Sequence, residues 1–184
     1  MKKIILLLGL LVIGISLITG CKTKKDDSTS TAATKVEESN VKTISDTLNG
    51  ITVSAEYPKQ LWYAETIPGL SMRIYNVPTE KDVGSNSPQI GIRIEKGSNF
   101  DYFNLHLKNF EGLKNISNKT IGGIDMKGRT YKNYGMEWTE YLGKIDEEHV
   151  VSIIISIDEG SYVNIEDGEG KEIIDSIKFE KAAE

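Results

Sequence analysis

The chain is expected to be an α+β protein, an antiparallel β-sheet of about six or more strands with two main helices packed on it. Three observations carry that expectation. Apolar residues alternate with polar ones at Ile51, Val53, Ala55 and Tyr57, at Leu70, Met72 and Ile74, and at Ile90, Ile92 and Ile94. That two-residue period belongs to half-buried strands. Turn signals, Asn49-Gly50 and Gly122-Gly123, punctuate such runs. One segment, after Ser98, follows helical spacing, and a second helix is expected near the end. Strands, a helix, more strands and a closing helix, with no internal repeat, is the order of an antiparallel sheet with helices laid on it.

The first strand is expected at Thr43–Asp46, with Asn49-Gly50 turning into a strand that Pro58 ends. Leu61-Trp62-Tyr63-Ala64 is a short apolar segment, and Thr79 to Pro88 is a polar loop. Ser98 or Asn99 offers an N-cap to a helix carrying Phe100, Phe103, Leu107 and Phe110 on one stripe, with Asn104, Lys108 and Glu111 facing away. A loop with Asn115 and Asn118 follows. Lys119–Ile121 and Asp125–Lys132 flank the Gly122-Gly123 turn. Met136, Trp138 and Leu142 share one parity, interrupted by Glu140, with Glu137, Thr139 and Tyr141 opposite. Val150 to Ile157 is apolar on both faces and should be a central strand. The closing helix covers about Lys171–Ser176, and Ile177-Lys178-Phe179 forms a last short strand.

Ahead of this domain stands a different kind of sequence. Lys2 and Lys3 precede an apolar run from Ile4 to Ile18, then Thr19-Gly20 and the chain's single cysteine, Cys21. The run is about 15 residues, short of the roughly 20 that span a hydrocarbon core, and it has the layout of a secretory signal. Ile18-Thr19-Gly20-Cys21 resembles a bacterial lipobox. That resemblance implies diacylglyceryl transfer to the Cys21 sulfur, cleavage before it and further acylation, since two acyl chains hold stably where one is marginal. An uncleaved anchor or an ordinary secretory signal with a free thiol is the alternative. The expected organisation is a signal peptide over 1–20, a lipidated Cys21 and flexible tether over 21–42, and one globular domain over 43–184. The tether is polar, and as a coil its ends lie about 25 Å apart. The protein is thus placed on the extracytoplasmic face of a cell membrane.

Net charge is −5, which argues against nucleic acid as a partner because that partner selects a basic patch. One cysteine excludes an internal disulfide and a multi-cysteine metal site.

The element order, with Gly122-Gly123 entering a strand and Glu172-Ile173-Ile174-Asp175-Ser176-Ile177-Lys178-Phe179 at the end, resembles the PsbP-like α/β/α sandwich over about Thr43 to Phe179. Photosystem extrinsic subunits, a Ran-binding import factor and many bacterial lipoproteins share that fold. The resemblance implies an architecture and transfers no functional residue.

Chemistry-bearing residues are few. Asp146, Glu147, Glu148 and His149 form one hard-ligand cluster, and Asn164, Glu166, Asp167 and Glu169 a second. An EF-hand template centred on Gly168 puts Val163 and Ile165 in ligand slots and Ile174 where glutamate belongs, so it fails. Asp146, Glu148, His149, Glu166 and Asp167 remain the metal candidates, against the plainer reading of solvated turn carboxylates. No cofactor is expected. His106 flanks its helix stripe and lacks a partner histidine at zinc spacing. Ser152 and Ser156 lie in an apolar strand without a nucleophile elbow, where they read as small core residues. Trp62, Tyr63, Tyr131, Tyr134, Trp138 and Tyr141 are candidates for an aromatic groove, and the Tyr131–Tyr141 segment is the place to look. Strand-spaced aromatics also serve as core and cross-strand pairs.

These features favour a membrane-anchored, non-catalytic binding or accessory lipoprotein acting on an envelope protein or wall component. A lipoprotein that delivers a small ligand or metal ion to a membrane complex is the alternative, and an enzyme ranks last.

Overall fold

A computed structural model of the chain describes residues 40–105, 107, 110–161 and 164–182. The expected signal peptide, Cys21, most of the tether and His106 lie outside the described residues.

Ten strands, largely antiparallel partners, dominate the domain. β1 (Val41–Leu48), β2 (Ile51–Pro58) and β10 (Lys178–Lys181) form a three-stranded sheet in the order β1-β2-β10. The other seven, β3 (Tyr63–Ile67), β4 (Ser71–Tyr75), β5 (Gln89–Lys96), β6 (Glu111–Ile121), β7 (Ile124–Asn133), β8 (Met136–Lys144) and β9 (His149–Asp158), form a sheet in the order β3-β4-β5-β9-β8-β7-β6. Two α-helices accompany them among the described residues, α1 (Asp101–Asn104) and α2 (Gly168–Ser176). The class is α+β and mostly sheet. The expected single sheet is two, and β1 begins at Val41, two residues before the expected domain start.

Period-two alternation does the positioning. Ile51, Val53 and Ala55 of β2 and Met72, Ile74, Ile90, Ile92, Ile94, Val151, Ile153 and Ile155 of the larger sheet are buried together with Ile173, Ile174 and Ile177 at α2. One core therefore joins the small sheet, α2 and one face of the large sheet. Each of the Val, Ile and Met side chains removed from water contributes on the order of 1.5–3 kcal/mol. Ser176 ties α2 to β2 by accepting from the Glu56 backbone N–H at 2.8 Å. β9, apolar on both sides, is central as expected, between β5 and β8.

Turns follow their chemistry. Asn49 and Gly50 both take positive φ, 53° and 87°, as the two-residue hairpin between β1 and β2 requires.

Two expectations need correction. The helix expected over Phe100–Phe110 is a single turn, Asp101–Asn104, and Glu111 already opens β6. The helix's C-terminal groups are taken up elsewhere. The Phe103 carbonyl and Asn104 Oδ1 accept from the Arg129 guanidinium, at 3.1 and 2.7 Å. Asn99 Oδ1 accepts from the Asp101 N–H at 3.0 Å, ahead of Phe100, which opens the turn without a side-chain cap. The stripe is divided: Phe100 and Phe103 stay with α1, and Phe110 stacks on Tyr131 at 4.7 Å between centroids. The loop expected around Asn115 and Asn118 lies inside β6. β6 is an edge strand, mostly exposed, so it carries no apolar alternation to read. Its pairing with β7 shifts register between Glu111 and Lys114 and between Ile116 and Lys119. Bulges and lysines of this kind blunt an edge against further pairing.

Candidate functional site

The large sheet has a second face. Cross-strand partners share a face, so the register Arg73↔Gly91, Arg93↔Ser152, Gly91↔Ile154, Glu140↔Ile154 and Arg129↔Glu140 puts all these residues on the side away from the core. Tyr131↔Trp138 and Trp138↔Ser156 extend it. This face is polar and partly buried, and α1 crosses it.

Under α1 sits a closed charged cluster. Arg129 Nε donates to Glu140 Oε2 at 2.6 Å, and Ser152 Oγ donates to Glu140 Oε1 at 2.6 Å. Arg129 also holds Asn104 and the Phe103 carbonyl as described. Arg129 and Glu140 are only 8% and 3% exposed, and such a pair persists only when its remaining groups are bonded. Here they are, so the cluster fixes α1 onto the sheet. Burial, and next the Glu140 carboxylate, push the neighbouring Tyr131 hydroxyl well above the usual phenol range.

Beside it opens a groove of about 310 Å³ lined by Leu70, Ser71, Arg73, Gln89, Gly91, Arg93, Trp138 and Ile154. Its volume is at the lower end of ligand pockets, roughly 300–1,000 Å³. Arg73 Nη1 donates to the Tyr75 hydroxyl at 3.3 Å, and that hydroxyl donates to Glu65 at 3.0 Å. Arg93 Nη2 reaches Glu95 at 3.4 Å and donates to the Tyr102 hydroxyl of α1. The Tyr102 ring also packs under the Arg93 guanidinium at 5.0 Å. Trp138 stacks on Tyr131 at 6.0 Å and 11°, and its Nε1 donates to the Asn133 carbonyl at 3.2 Å. The buried Arg93 Nε, Ser71 Oγ and Ser156 Oγ of this face have no hydrogen-bond partner among the described residues.

Of the sequence-derived candidates, Trp138 lines this groove and the others are dispersed. The aromatics of the Tyr131–Tyr141 segment do not form one platform. Tyr131 and Trp138 share the polar face, whereas Tyr141, three residues on from Trp138, points into the core and donates to Glu166 at 2.7 Å. Tyr134 is 91% exposed at a turn tip with φ 52°. Trp62 is buried and donates to Glu169 at 2.9 Å, and Tyr63 stacks on Tyr75. Of the metal candidates, Asp146 and His149 meet at 2.9 Å, but the third group there is the Lys181 ammonium at 3.1 Å. The Glu148 backbone N–H donates to Asp146 and, with His149 and Lys181, holds its carboxyl far below the usual range. Glu166 is engaged by Tyr141 and Lys119, and Asp167 accepts from Asn164 at 2.6 Å. No three His, Cys, Asp or Glu groups converge to hold a metal among the described residues. Ser152 and Ser156 are fully buried, and Ser152 bonds Glu140 rather than a histidine. Strand parity puts Arg73 on the polar side of β4 and Gln89 and Arg93 on that of β5, but only the pairing of β4 with β5 brings them together.

No helix of the described residues is long and apolar enough to cross a membrane. No family model matches the chain, and no curated protein matches it. Among solved structures, the chain is similar to LpqN of Mycobacterium tuberculosis, a protein involved in cell envelope biogenesis, at 15% identity and a TM-score of 0.46, over 77% of this chain and 92% of that one. It is also similar to a protein from Bacteroides thetaiotaomicron at 19% identity and a TM-score of 0.40, over 70% of this chain. There it spans 45% of the other chain's length.

Proposed function

We propose that the protein is a membrane-anchored, extracytoplasmic lipoprotein with a PsbP-like architecture, acting as a non-catalytic binding module for an envelope or wall component. Cys21 carries the anchor. The observation that supports the binding role is the groove on the polar face, where Arg73, Gln89, Arg93 and Trp138 converge beside α1. Two groups that acid–base chemistry could use are engaged in structural pairs, His149 with Asp146 and Glu140 with Arg129. A second reading, a lipoprotein that carries a small ligand to a membrane complex, is favoured by the modest volume of the groove.

Site-specific photo-crosslinking in intact cells tests the binding role. A photoreactive residue replaces Leu70 at the groove's rim or the exposed Lys178 on β10. The binding role requires a discrete adduct from position 70 and none from 178. Adducts from 178 alone would refute it. The adduct's mass separates an envelope macromolecule from a small cargo. Metabolic labelling with a tagged fatty acid tests the anchor, which requires incorporation in the native chain and none in Cys21→Ser.

A further inference from the structure

The chemistry of the groove's ligand follows from how this chain spends its arginines, provided the groove is a binding site as proposed above. The chain has 19 lysines and three arginines, Arg73, Arg93 and Arg129. The pairing register puts all three on one face of one sheet. Arginine differs from lysine in offering a planar fork of donors that matches an oxyanion, and in being more weakly hydrated when partly buried. Arg129 is spent on Glu140 and α1. The other two line the groove.

Of the two, Arg93 is ion-paired, with Glu95 at 3.4 Å, and Arg73 is not. No acidic residue lines the groove. Among the described residues Arg73 has one hydrogen-bond partner, the neutral Tyr75 hydroxyl at 3.3 Å, and no ion pair, although Glu65 stands opposite it on β3. The Tyr75–Glu65 hydrogen bond on its far side holds that hydroxyl in place. Arg93 is held by Glu95 and Tyr102, yet its buried Nε has no partner. Ser71 lines the same groove, is 3% exposed and has an unpartnered hydroxyl. Buried donors are normally bonded, so three donor-bearing side chains with free capacity around one groove mark a built acceptor site. Gly91 leaves the floor open, because the nearest atoms to an added Cβ lie 4.0 Å away on Ile154. Trp138, Ile154 and Leu70 give the same groove an apolar wall.

We propose that this groove binds a small organic oxyanion, a carboxylate or phosphate ester whose apolar or planar body lies against Trp138. Arg73 is its principal partner, with Arg93, Gln89 and Ser71 as further donors. A neutral body of the same shape lacks the group these donors need and leaves them unpaired.

The test uses the full-length protein in non-ionic detergent, followed by tryptophan fluorescence and, independently, by titration calorimetry. The probes are phenyl phosphate, benzoate and neutral benzyl alcohol. Trp62→Phe leaves Trp138 as the reporter, and calorimetry on the unsubstituted chain keeps the test valid if that variant misfolds. The expected result is saturable binding of at least one anion, at least tenfold tighter than benzyl alcohol. Arg73→Ala should weaken it at least tenfold, Arg73→Lys less, and Lys178→Ala not at all. Whichever anion binds tighter identifies phosphate or carboxylate as the source. Equal affinity for the neutral probe, no anion binding, or full affinity in a folded Arg73→Ala variant would overturn the proposal. If crosslinking at position 70 succeeds while the anions fail, the groove is a binding site and only its assigned chemistry is wrong. If both fail, the binding role falls too.

Discussion

At the scale of single residues the polar face depends on Arg129 and Glu140. Each neutralises the other in a place where neither could stand alone. Glu140→Leu leaves Arg129 buried without its carboxylate, and denaturant unfolding should show a loss of about 3–5 kcal/mol. The double substitution Arg129→Met with Glu140→Leu should recover most of that, because a well-packed apolar pair often replaces a buried ion pair at little cost. Tyr131 and Tyr141 govern the alkaline limb. Burial is the main cause in both, helped by Glu140 for Tyr131 and by the bond to Glu166 for Tyr141, and both hydroxyls titrate above the ordinary value of 10.0. A raised folded-state pKa gives stability that is complete below the unfolded value and is lost as pH rises beyond it. Stability should therefore fall above about pH 10, and Tyr131→Phe should flatten that fall in unfolding curves taken across pH. Asp146 has the opposite sign. Its lowered pKa gives stability present above the ordinary carboxylate range and lost as pH falls below about 4. Asp146→Asn should flatten the acid limb.

At the scale of elements, the β6–β7–β8 ribbon carries the least obvious constraint. The register shift after Ile116 brings the Ser117 carbonyl over Gly128, where an added Cβ would stand 2.6 Å from that oxygen and 3.1 Å from the Tyr141 ring. Backbone cannot move aside as a side-chain tip can. Gly128→Ala should cost roughly 1–3 kcal/mol by thermal or denaturant unfolding, whereas Gly84→Ala, with its nearest atom at 3.8 Å, should stay near neutral. Legibility differs by element for the same physical reason. β2, β4, β5 and β9 bury one or both faces, so their alternation or apolar runs announced them. β6 is exposed along nearly its whole length, and nothing in Asn115 or Asn118 separates an edge strand from a loop. The stripe Phe100, Phe103, Phe110 has helical spacing, but its outer members serve α1's single turn and the Tyr131 stack.

At the scale of the whole molecule, two sheets and α2 close one core, and the far face of the larger sheet is left polar, with α1 across it and a groove beside. The sequence reading offers aromatics as a candidate surface, and the structure separates them. Trp138 lines the groove and Tyr131 supports it, while Tyr141 is on the core side because three residues along a strand reverses the face. The arginines were the stronger signal. Arg73, Arg93 and Arg129 each occupy the polar parity of a strand, but which strands are neighbours is set by topology, and local periodicity does not contain it. The central claim, that the groove's two arginines form a ligand site and the third is structural, is tested most directly by the three arginine Nε–Hε resonances of the full-length protein in detergent. On titration with phenyl phosphate, the signals of Arg73 and Arg93 should move saturably and that of Arg129 should stay fixed. Unmoved signals from Arg73 and Arg93 at concentrations that shift surface lysines would contradict the account.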